Sequence, residues 1–534
     1  MSIINTLPYT IANGQAVDAT PVMADLNQIV NNVNANAVAS ASLAASGGAN
    51  LAGFSASNSA SGTVARALVD RGVCVTDAPF NADPTGVADS TAAFTNAAAA
   101  GWMVYVPSGT YKTTAPISRP AGVVFVGAGR AKTIIQASGN YAIFETIGSS
   151  TNVLVGGGVQ NMTLVGTWGA NNANTASYGV SESWTNRSVH CDLEIYGCYV
   201  GLYGNQGLWQ VTWDNITVDG AGTQQNYIGF MLDSLPTTLP SGTSNAVIAN
   251  GLVAQNCAYA GFRLLNPNGS KFVNCDAESS AFGWYIGDGP VGCYPVQFCH
   301  IANCLGDSCT YNWVFKQGSN SNPVTAMELA NCWTGNASTG AMDLTGCHSI
   351  NISNLQSVGN ATHGILLDNC EYMTLTGSQF NGNNISNTAG VGDITIQGGL
   401  YNRVTGCMSL MANSSGVSVL ESSATNGNDI TDNTLFQGAT IIGANTVVRN
   451  NRGFRTEASG TASITSAATS VSVTHGLALT PPIQAISVTP STGLGSASQF
   501  WVSNVTANTF NINVNVAPGV GIGFSWNAQN LVSY

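Results

Sequence analysis

The sequence has 534 residues, of which 7% are charged, against roughly 25% in ordinary soluble domains. Its formal net charge is −12 and only 14 residues are Lys or Arg, which excludes the basic surface that a nucleic acid partner requires. No apolar run of about 18 residues occurs, so no membrane span is predicted. The first residues, MSIINTLPYT, lack the segments of a secretory signal, and we expect synthesis in a cytoplasm without that kind of export.

Residues 1–65 are predicted to form an arm with a short helix and a linker. Thr20 is the predicted N-cap of the helix, and Pro21 its first residue. Apolar residues then follow at alternating spacings of four and three, a short seam that could pair between chains. These residues are Val22, Leu26, Ile29 and Val33. The Ala-, Ser- and Gly-rich stretch after them is typical of a linker.

Residues 66–150 are predicted to cap and open a long β-structure. A strand leads into a loop that contains Asp77, Asp83 and Asp89. A helix from Ser90 to Ala100 follows, and then the strand MVYVPSGTY.

Residues 151–455 contain an internal repeat. A five-residue segment recurs with successive starts 23, 36, 23, 29, 28 and 23 residues apart. These segments begin at Asp192, Asn215, Gly251, Asn274, Asn303, Asn331 and Asn354. A turn and a second strand follow them, and Gly229, Gly261, Gly283 and Gly364 lie at or near the start of such strands. A repeat of this length indicates a solenoid in which each unit is one rung.

Stacked rungs place equivalent residues in ladders, because parallel strands lie about 4.8 Å apart. Five of these segments begin with Asn, and these side chains are predicted to form an amide ladder at a bend. They are Asn215, Asn274, Asn303, Asn331 and Asn354. The second and fourth residues of each segment are small or apolar and are predicted to face inward, which turns the third and fifth outward.

The 13 cysteines are predicted to be structural thiols. Their number is odd, and no compact disulfide framework is visible. Cys275, Cys304 and Cys332 each follow an Asn, 29 and then 28 residues apart, which favours a buried thiol row over a metal site.

Residues 456–534 alternate between apolar and polar positions in short runs separated by turns. They are predicted to form a compact antiparallel β-domain, a sandwich that serves trimerisation or carbohydrate binding.

Two motifs resemble the opening of the pectate-lyase-like β-helix proteins found in bacteriophage tailspikes. They are VPSGTY at residues 106–111 and the helix start at Asp89, Ser90, Thr91 and Ala92. The arm also resembles the particle-binding end of phage tail proteins. The resemblance implies an all-β, right-handed parallel β-helix in a homotrimer, carried on the virion and attached to the tail or baseplate through the arm. It also implies binding and endo-acting depolymerisation of bacterial surface polysaccharide, whether capsule, O-antigen or exopolysaccharide.

Carboxylates are scarce, 26 in the chain, yet five fall at outward positions of one column. They are Glu194, Asp219, Asp276, Glu278 and Asp307. Asp276 and Glu278 share a strand face, and Asp307 is predicted one rung beyond Glu278, with Cα atoms about 5 Å apart. Glycoside hydrolysis needs one protonated and one ionised carboxyl, and nearby like charges raise a carboxyl pKa.

We therefore predict Asp276, Glu278 and Asp307 as catalytic residues. Glu278 is the predicted acid, and Asp307 and Asp276 are the base and a water-positioning partner, although the sequence leaves these roles interchangeable. It also leaves retention or inversion of the anomeric centre open.

Six residues are predicted to bind substrate. Trp333 and Tyr196 offer stacking faces, and Glu194 and Asp219 lie in the carboxylate column. Arg263 and His300 are cations that could hold an anionic sugar, and His300 belongs to a second predicted outward ladder with Lys271 and Glu328.

Other readings of the carboxylates stay open. They could be solubilising groups, a Ca²⁺ site, or part of a polysaccharide lyase acting on a uronate polymer, and the spike could be an adhesin without turnover. No nucleotide-binding or metalloprotease motif is present, so we predict no cofactor and, in the preferred reading, no metal.

Overall fold

The chain was analysed as a computed structural model. It divides into two compact units, residues 1–73 and 74–534. The structure describes residues 19–36, 53–54, 62–63, 72–220, 225–233, 243–290, 294–318, 322–423, 425–443 and 445–530.

In the first unit, the predicted helix is present as Ala19–Asn36. It begins one residue before Thr20, so the predicted cap lies inside the helix. Leu26 is exposed and Ile29 half-buried, whereas the side chains of Val22 and Val33 lie outside the described residues. So does the predicted linker, apart from an antiparallel pair formed by Gly53–Phe54 and Gly62–Thr63.

The second unit is a parallel β-solenoid of about thirteen turns, which confirms the predicted β-helix. Each rung contributes up to three strands, and each strand pairs in parallel with its equivalent in the next rung. In one rung these are Lys271–Val273, Asp276–Glu278 and Phe282–Gly287. We call the three resulting sheets the first, second and third wall.

The first wall contains Val73–Cys74, Met103–Val106, Val124–Gly127, the first halves of Gly158–Val165 and Val189–Tyr196, Thr212–Asp214, Ile248–Asn250, Lys271–Val273, His300–Ala302, Glu328–Ala330, Asn351–Ser353, Thr374–Thr376, Arg403–Thr405, Asp429–Thr431 and Val447–Arg449. The second wall contains Thr85–Asp89, Gly109–Thr113, Thr133–Ala137, the second halves of Gly158–Val165 and Val189–Tyr196, Thr217–Asp219, Val253–Gln255, Asp276–Glu278, Leu305–Asp307, Trp333–Gly335, Gln356–Val358, Gln379–Asn381, Met408–Leu410 and Thr434–Leu435. The third wall contains Ile117–Ser118, Phe144–Ile147, Tyr178–Asn186, Val200–Trp209, Ile228–Leu232, Ala260–Leu264, Phe282–Gly287, Tyr311–Lys316, Gly340–Thr345, Ile365–Asp368, Gly392–Gln397, Val417–Ser422 and Ala439–Thr440, with Leu154–Val155, Ser244–Asn245 and Pro267–Asn268 at its side.

A helix, Thr91–Ala100, matches the one predicted from Ser90 to Ala100. It buries Phe94, whose ring centroid lies 5.6 Å from that of Tyr111 and 6.2 Å from that of Phe125. The VPSGTY segment therefore packs against the helix that precedes it, but it belongs to two strands, Met103–Val106 and Gly109–Thr113, and not to the single strand predicted.

The predicted inward positions are buried. Leu193, Ile195, Ile216, Val218 and Ala277 are all fully inaccessible to solvent. The cysteine row is present as well, because Cys275, Cys304 and Cys332 are buried, and the backbone N–H of Cys275 donates to Sγ of Cys304 across 3.4 Å. Burial raises the pKa of the Cys332 thiol to about 11, as expected for an inert structural thiol.

The asparagine ladder forms at the bend between the first and second walls. Each of its residues has a positive φ, a conformation that Asn tolerates well. Side-chain amides donate to side-chain oxygens along the series Asn354, Asn331, Asn303 and Asn274, with distances of 3.1–3.3 Å. Asn215 shares the turn conformation and donates to Asp192 in the preceding rung, whereas Gly251, at the equivalent place in the next rung, has no side-chain amide to donate to Asn215.

A stack of aromatic rings fills the interior. Phe230, Phe262, Trp284 and Trp313 follow one another on successive rungs with centroids 5.0, 3.9 and 4.7 Å apart and nearly parallel planes. Parallel stacking across the rung spacing is a favourable arrangement for buried rings.

Residues 456–534 contain two three-stranded antiparallel sheets. One is built from Glu457–Ile464, Ile522–Gln529 and Ile486–Pro490, the other from Ser470–Thr474, Thr509–Val514 and Phe500–Ser503, and a short 3₁₀ turn spans Ile483–Ala485. The two sheets share one cluster of buried side chains, which includes Phe510, Ile512 and Phe524. A role in trimerisation or carbohydrate binding stays a prediction.

Candidate functional site

The outward column of the second wall is continuous in register. Val253 pairs with Asp276, Asp276 with Leu305, and Leu305 with Trp333. In the parallel column two residues further along the strands, Gln255 pairs with Glu278 and Glu278 with Asp307. The rung alignment predicted from the sequence therefore brings Asp276, Glu278 and Asp307 together on the outer face of one sheet.

The carboxyl of Asp276 has the most unusual surroundings of the three. Its Oδ1 atom is buried and receives no hydrogen bond from any described residue. Burial, the neighbouring charge of Glu278, a hydrogen bond shared with that carboxyl and the charge of Asp307 together raise the pKa of Asp276 to about 6. The acid role that the sequence analysis gave to Glu278 is therefore better suited to Asp276.

Asp307 is held differently. Its Oδ1 accepts hydrogen bonds from Oγ of Ser308 and Nδ2 of Asn336, each at 3.0 Å. Two donated hydrogen bonds suit a carboxylate that acts as a base. One rung along the axis and two residues across the strand separate its Cα from that of Asp276, a distance of about 8 Å.

A groove of about 610 Å³ begins at Asp307 and extends over the next rungs of the second wall. Trp333 lies in this groove, and a Cβ at Gly335 would clash with the Trp333 ring. The missing side chain at residue 335 thus leaves the ring room to lie over the wall, where it can offer a face for stacking.

Half of the remaining groove residues carry amide side chains. The lining includes the side chains of Asn303, Asn331, Asn354, Gln356 and Gln379. Sequence reasoning assigned the asparagines a structural role and missed Gln356 and Gln379 as groove residues. Their positions in the rung alignment would have revealed them, because Trp333 pairs with Gln356 and Gln356 with Gln379.

The wall that carries these residues is braced from inside. Nε1 of Trp284 donates to the backbone oxygen of Leu305 across 2.8 Å, and Nε1 of Trp313 donates to that of Trp333 across 3.2 Å. Both tryptophans are fully buried. These two hydrogen bonds hold the strands Leu305–Asp307 and Trp333–Gly335 in place, and these strands carry the outward side chains of Asp307 and Trp333.

Glu194 and Tyr196 form a separate cluster on the same wall. Glu194 lies three rungs from Asp276, about 14 Å along the axis. The Tyr196 hydroxyl donates to Oε1 of Glu194 across 2.5 Å, and burial together with this bond raises the pKa of Tyr196. A second groove, of about 460 Å³, is lined by both residues. Arg130, which the sequence analysis did not single out, reaches Thr217 and the backbone of Asn215 beside them.

Asp219 lies between the two groups. It shares the column of Glu278, two rungs away, through the pairing of Asp219 with Gln255. Its Oδ1 accepts a hydrogen bond of 3.0 Å from Asn256. It is not brought into contact with the three predicted catalytic residues.

Arg263 and His300 lie on other walls. Arg263 is buried on the third wall, stacked 4.1 Å from the centroid of the Tyr285 ring and bonded to the backbone oxygens of Tyr285 and Gly287. These contacts leave it no access to a sugar on the second wall. His300 is exposed on the first wall, where its register with Lys271 and Glu328 matches the predicted ladder.

Neither a metal site nor a membrane-spanning helix is found in the part of the chain that the structure describes. No group of three or more His, Cys, Asp or Glu side chains there is arranged to hold a metal ion. No helix in those segments has the length and apolar character needed to cross a bilayer.

Comparison with known proteins first identifies a family for part of the chain. Residues 74–172 match the family described as rhamnogalacturonase A/epimerase, pectate lyase-like. The pre-neck appendage proteins of Bacillus phages phi29 and PZA are each 27% identical over 186 residues, which is 34% of this chain and 20% of theirs. The match therefore spans about a fifth of the length of these relatives.

Solved structures share the fold over most of the chain. The tailspike protein of Pseudomonas phage LKA1 has a TM-score of 0.58 at 12% identity and covers 86% of this chain and 100% of its own. The chain has the fold of phage tailspikes. Tailspike protein 3 of bacteriophage CBA120 has a TM-score of 0.55 at 12% identity, covering 82% and 69%. The A-module of an Azotobacter vinelandii mannuronan C-5 epimerase has a TM-score of 0.52 at 18% identity, covering 71% and 98%. The resemblance to pectate-lyase-like β-helices and tailspikes is thus confirmed.

Proposed function

We propose that this chain is a phage tailspike that binds bacterial surface polysaccharide along its second wall and hydrolyses it. The observation that carries the proposal is the raised pKa of Asp276, about 6, beside Glu278 and one rung from Asp307, the carboxyl at which the groove begins. The phage relatives and the tailspike fold support the biological setting. We further propose a homotrimer that attaches to the tail or baseplate through residues 1–65.

In the proposed mechanism, Asp276 is the general acid and Asp307 the general base. The proton of Asp276 moves to the glycosidic oxygen as the bond from that oxygen to the anomeric carbon breaks. Asp307 takes a proton from water, and the water oxygen forms the new bond to the anomeric carbon. One water molecule is consumed, and the two carboxyls return to their starting states by exchanging protons with solvent.

Glu278 keeps the acid protonated. It is too close to Asp276 to be the opposing catalytic carboxyl, because the two share a hydrogen bond, whereas a nucleophile and its acid stand about 5 Å apart. About 8 Å separates the Cα atoms of Asp276 and Asp307, which leaves room for the roughly 6.5–9.5 Å between carboxyls that inverting enzymes use to admit a water molecule. We therefore propose inversion at the anomeric carbon.

The charge of the wall favours hydrolysis over β-elimination. A lyase needs a base such as Lys, Arg, His or Tyr near a neutralised uronate carboxylate. From Val253 to Asn381, the outward residues of the described second-wall strands include none of these four types. Tyr196 is a poor base because its hydroxyl already donates to Glu194.

Product analysis tests the proposal. The protein is incubated with purified O-antigens and capsular polysaccharides, and products are followed by size-exclusion chromatography and by proton NMR of the new anomeric centre. We expect shorter chains, an inverted anomer and no conjugated double bond. Asp307→Asn should lower the rate about 10²–10⁴-fold, whereas the matched variant Asp214→Asn, on the first wall, should stay near wild type.

Three results would contradict parts of the account. A conjugated double bond would make the chain a lyase. A retained anomer would require a nucleophile in place of the base. Binding without any shortening of the polymer would leave an adhesin.

A further inference from the structure

A second turn column precedes the first wall. One residue per rung at this turn has a positive φ, and its backbone N–H donates to the next rung in most cases. In order along the axis the column contains Ala246, Gly269, Phe298, Ala326, Ser349, Tyr372, Tyr401 and Gly427. We call it the aromatic turn column.

Three bulky residues occupy this column at a cost in stability. Phe298, Tyr372 and Tyr401 have φ values of 56°, 56° and 55°, a region that suits Gly and Asn but strains large side chains. Their side chains are also 55%, 55% and 54% exposed, so burial compensates little for the strain. The other bend of the same rungs has Asn303, Gly377 and Gly406 at the equivalent conformation. Folding therefore does not explain the aromatic rings.

The rings leave a notch between them. Tyr372 and Tyr401 stack with centroids 5.6 Å apart and planes inclined by 13°. Gly427 follows Tyr401 in the next rung, and a Cβ at Gly427 would lie 2.7 Å from the Tyr401 ring. The Tyr401 ring therefore covers Gly427 and closes that side of the notch. On the other side of Tyr372 the next two residues, Ser349 and Ala326, are small. Phe298 then ends the notch, three rungs or about 14 Å from Tyr372.

Hydrogen-bonding groups of the first wall run along the notch. Two residues after the column, His300, Glu328, Asn351 and Thr374 face outward on successive rungs. Nδ1 of His300 lies 3.0 Å from Oε2 of Glu328, and both side chains are about half exposed. An aromatic face beside carboxylate, amide and hydroxyl groups matches a sugar ring, which has an apolar face and a polar rim.

We propose that this notch is a second, non-catalytic saccharide site. A pyranose ring places its apolar face against Tyr372 over Ser349 and Ala326, and its hydroxyls meet Glu328 and Asn351. The site lies on a different part of the rung from the second-wall groove and retains the polymer while the groove acts on it. The identity of the ligand as bacterial polysaccharide rests on the proposed function, but the binding does not require cleavage.

The charge beside the notch argues against a second copy of this chain as the occupant. Interface centres are depleted of charged residues, yet the notch is flanked by the exposed ion pair of His300 and Glu328. Arg403 and Asp429 form another loose pair, 3.6 Å apart, further along the same wall.

Binding to a printed panel of purified O-antigens and capsular polysaccharides tests the proposal with the full chain. Tyr372→Asn and Tyr401→Asn remove the rings and suit the positive φ, so both variants should keep or raise Tm. We expect Tyr372→Asn, which removes the ring that meets the sugar, to bind a recognised polysaccharide about tenfold more weakly, the effect of losing one good stacking contact, and Tyr401→Asn, which removes the ring stacked behind it, to weaken binding by a smaller factor. Hydrolysis of short oligosaccharides, which occupy the groove alone, should be unchanged.

Ala246→Asn is the matched control, because it relieves a positive φ of 56° in the same column outside the notch. It should raise Tm without changing binding. Wild-type binding by the tyrosine variants, or no binding of the wild type to any polysaccharide, would overturn the proposal. A lower sedimentation coefficient of the tyrosine variants would instead assign the notch to a second copy. Retained binding without cleavage would refute only the proposed hydrolysis.

Discussion

The first and second walls are built from the same rungs, but their outward charged side chains have different partners. On the first wall, outward charges meet partners in neighbouring rungs, as in the contacts of His300 with Glu328 and of Arg403 with Asp429. On the second wall, Asp276, Glu278 and Asp307 lie within one rung step of one another, and among the described residues none of the three forms an ion pair with a cation. In a chain with so few charges, the unpaired group indicates chemistry, whereas the paired groups keep the surface soluble.

The largest expected effect of this difference is on turnover. Asp276→Asn removes the proposed acid and should lower kcat about 10²–10⁴-fold. Glu328→Gln, a charge-removing change on the first wall, should leave kcat on short oligosaccharides within about twofold, because its partner is a half-exposed histidine. Steady-state kinetics on short oligosaccharides of a recognised polysaccharide measures both. Equal losses of kcat in the two variants would contradict the proposed difference between the two walls.

The pH dependence of kcat/KM should sharpen the comparison between the two walls. Asp276 must be protonated to act, so kcat/KM is expected to fall as pH rises through about 6. Glu278→Gln removes the nearest like charge and should move this falling limb to lower pH by about one unit, a tenfold change in the proton equilibrium. Gln in place of Glu328 should leave the limb where it is. A limb that does not move would show that burial alone sets the pKa of Asp276.

The sequence was sufficient to predict the β-helix, the rung register and the meeting of the three carboxylates. These follow from alternation and repeat length, as the pairing of Glu278 with Asp307 illustrates. The sequence could not identify which carboxyl has the raised pKa, because that depends on which carboxyl oxygen is buried without a hydrogen-bond donor. Alternation also showed that Arg263 points away from the interior, but not that Tyr285 covers it.

The binding residues show the same limit. The aromatic turn column was visible in principle because it recurs once per rung, but it lies outside the five-residue segments that guided the alignment. Gln356 lies within such a segment, but in a rung beyond that of Asp307, the last carboxylate of the column. Arg130 could not be found in this way, because its side chain crosses from a loop to Thr217 several rungs away.

A smaller effect is expected at Trp333. Trp333→Ala removes the stacking face of the groove and should raise KM about tenfold with little change in kcat. Gly335→Ala should act in the same direction, because the added Cβ displaces the ring. Leu410→Ala is the control for loss of an exposed apolar side chain on the same wall but outside the groove. An unchanged KM in both variants would remove Trp333 from the proposed site.

The smallest effect should be on stability. Breaking the exposed first-wall pair with Glu328→Gln should change the free energy of unfolding by less than about 1 kcal/mol. Trp284→Phe deletes the buried hydrogen bond to Leu305 and should cost about 1–3 kcal/mol. Denaturant unfolding compares the two variants. A larger loss for Glu328→Gln would show that the first-wall pairs stabilise the rungs.

The protonation state of Asp276 is the most direct test. Infrared difference titration of the wild type against Asp276→Asn isolates the carbonyl band of the protonated Asp276 carboxyl. That band should be present at pH 5 and disappear with a midpoint near 6. A midpoint near 4, the ordinary value for an aspartate, would contradict the account.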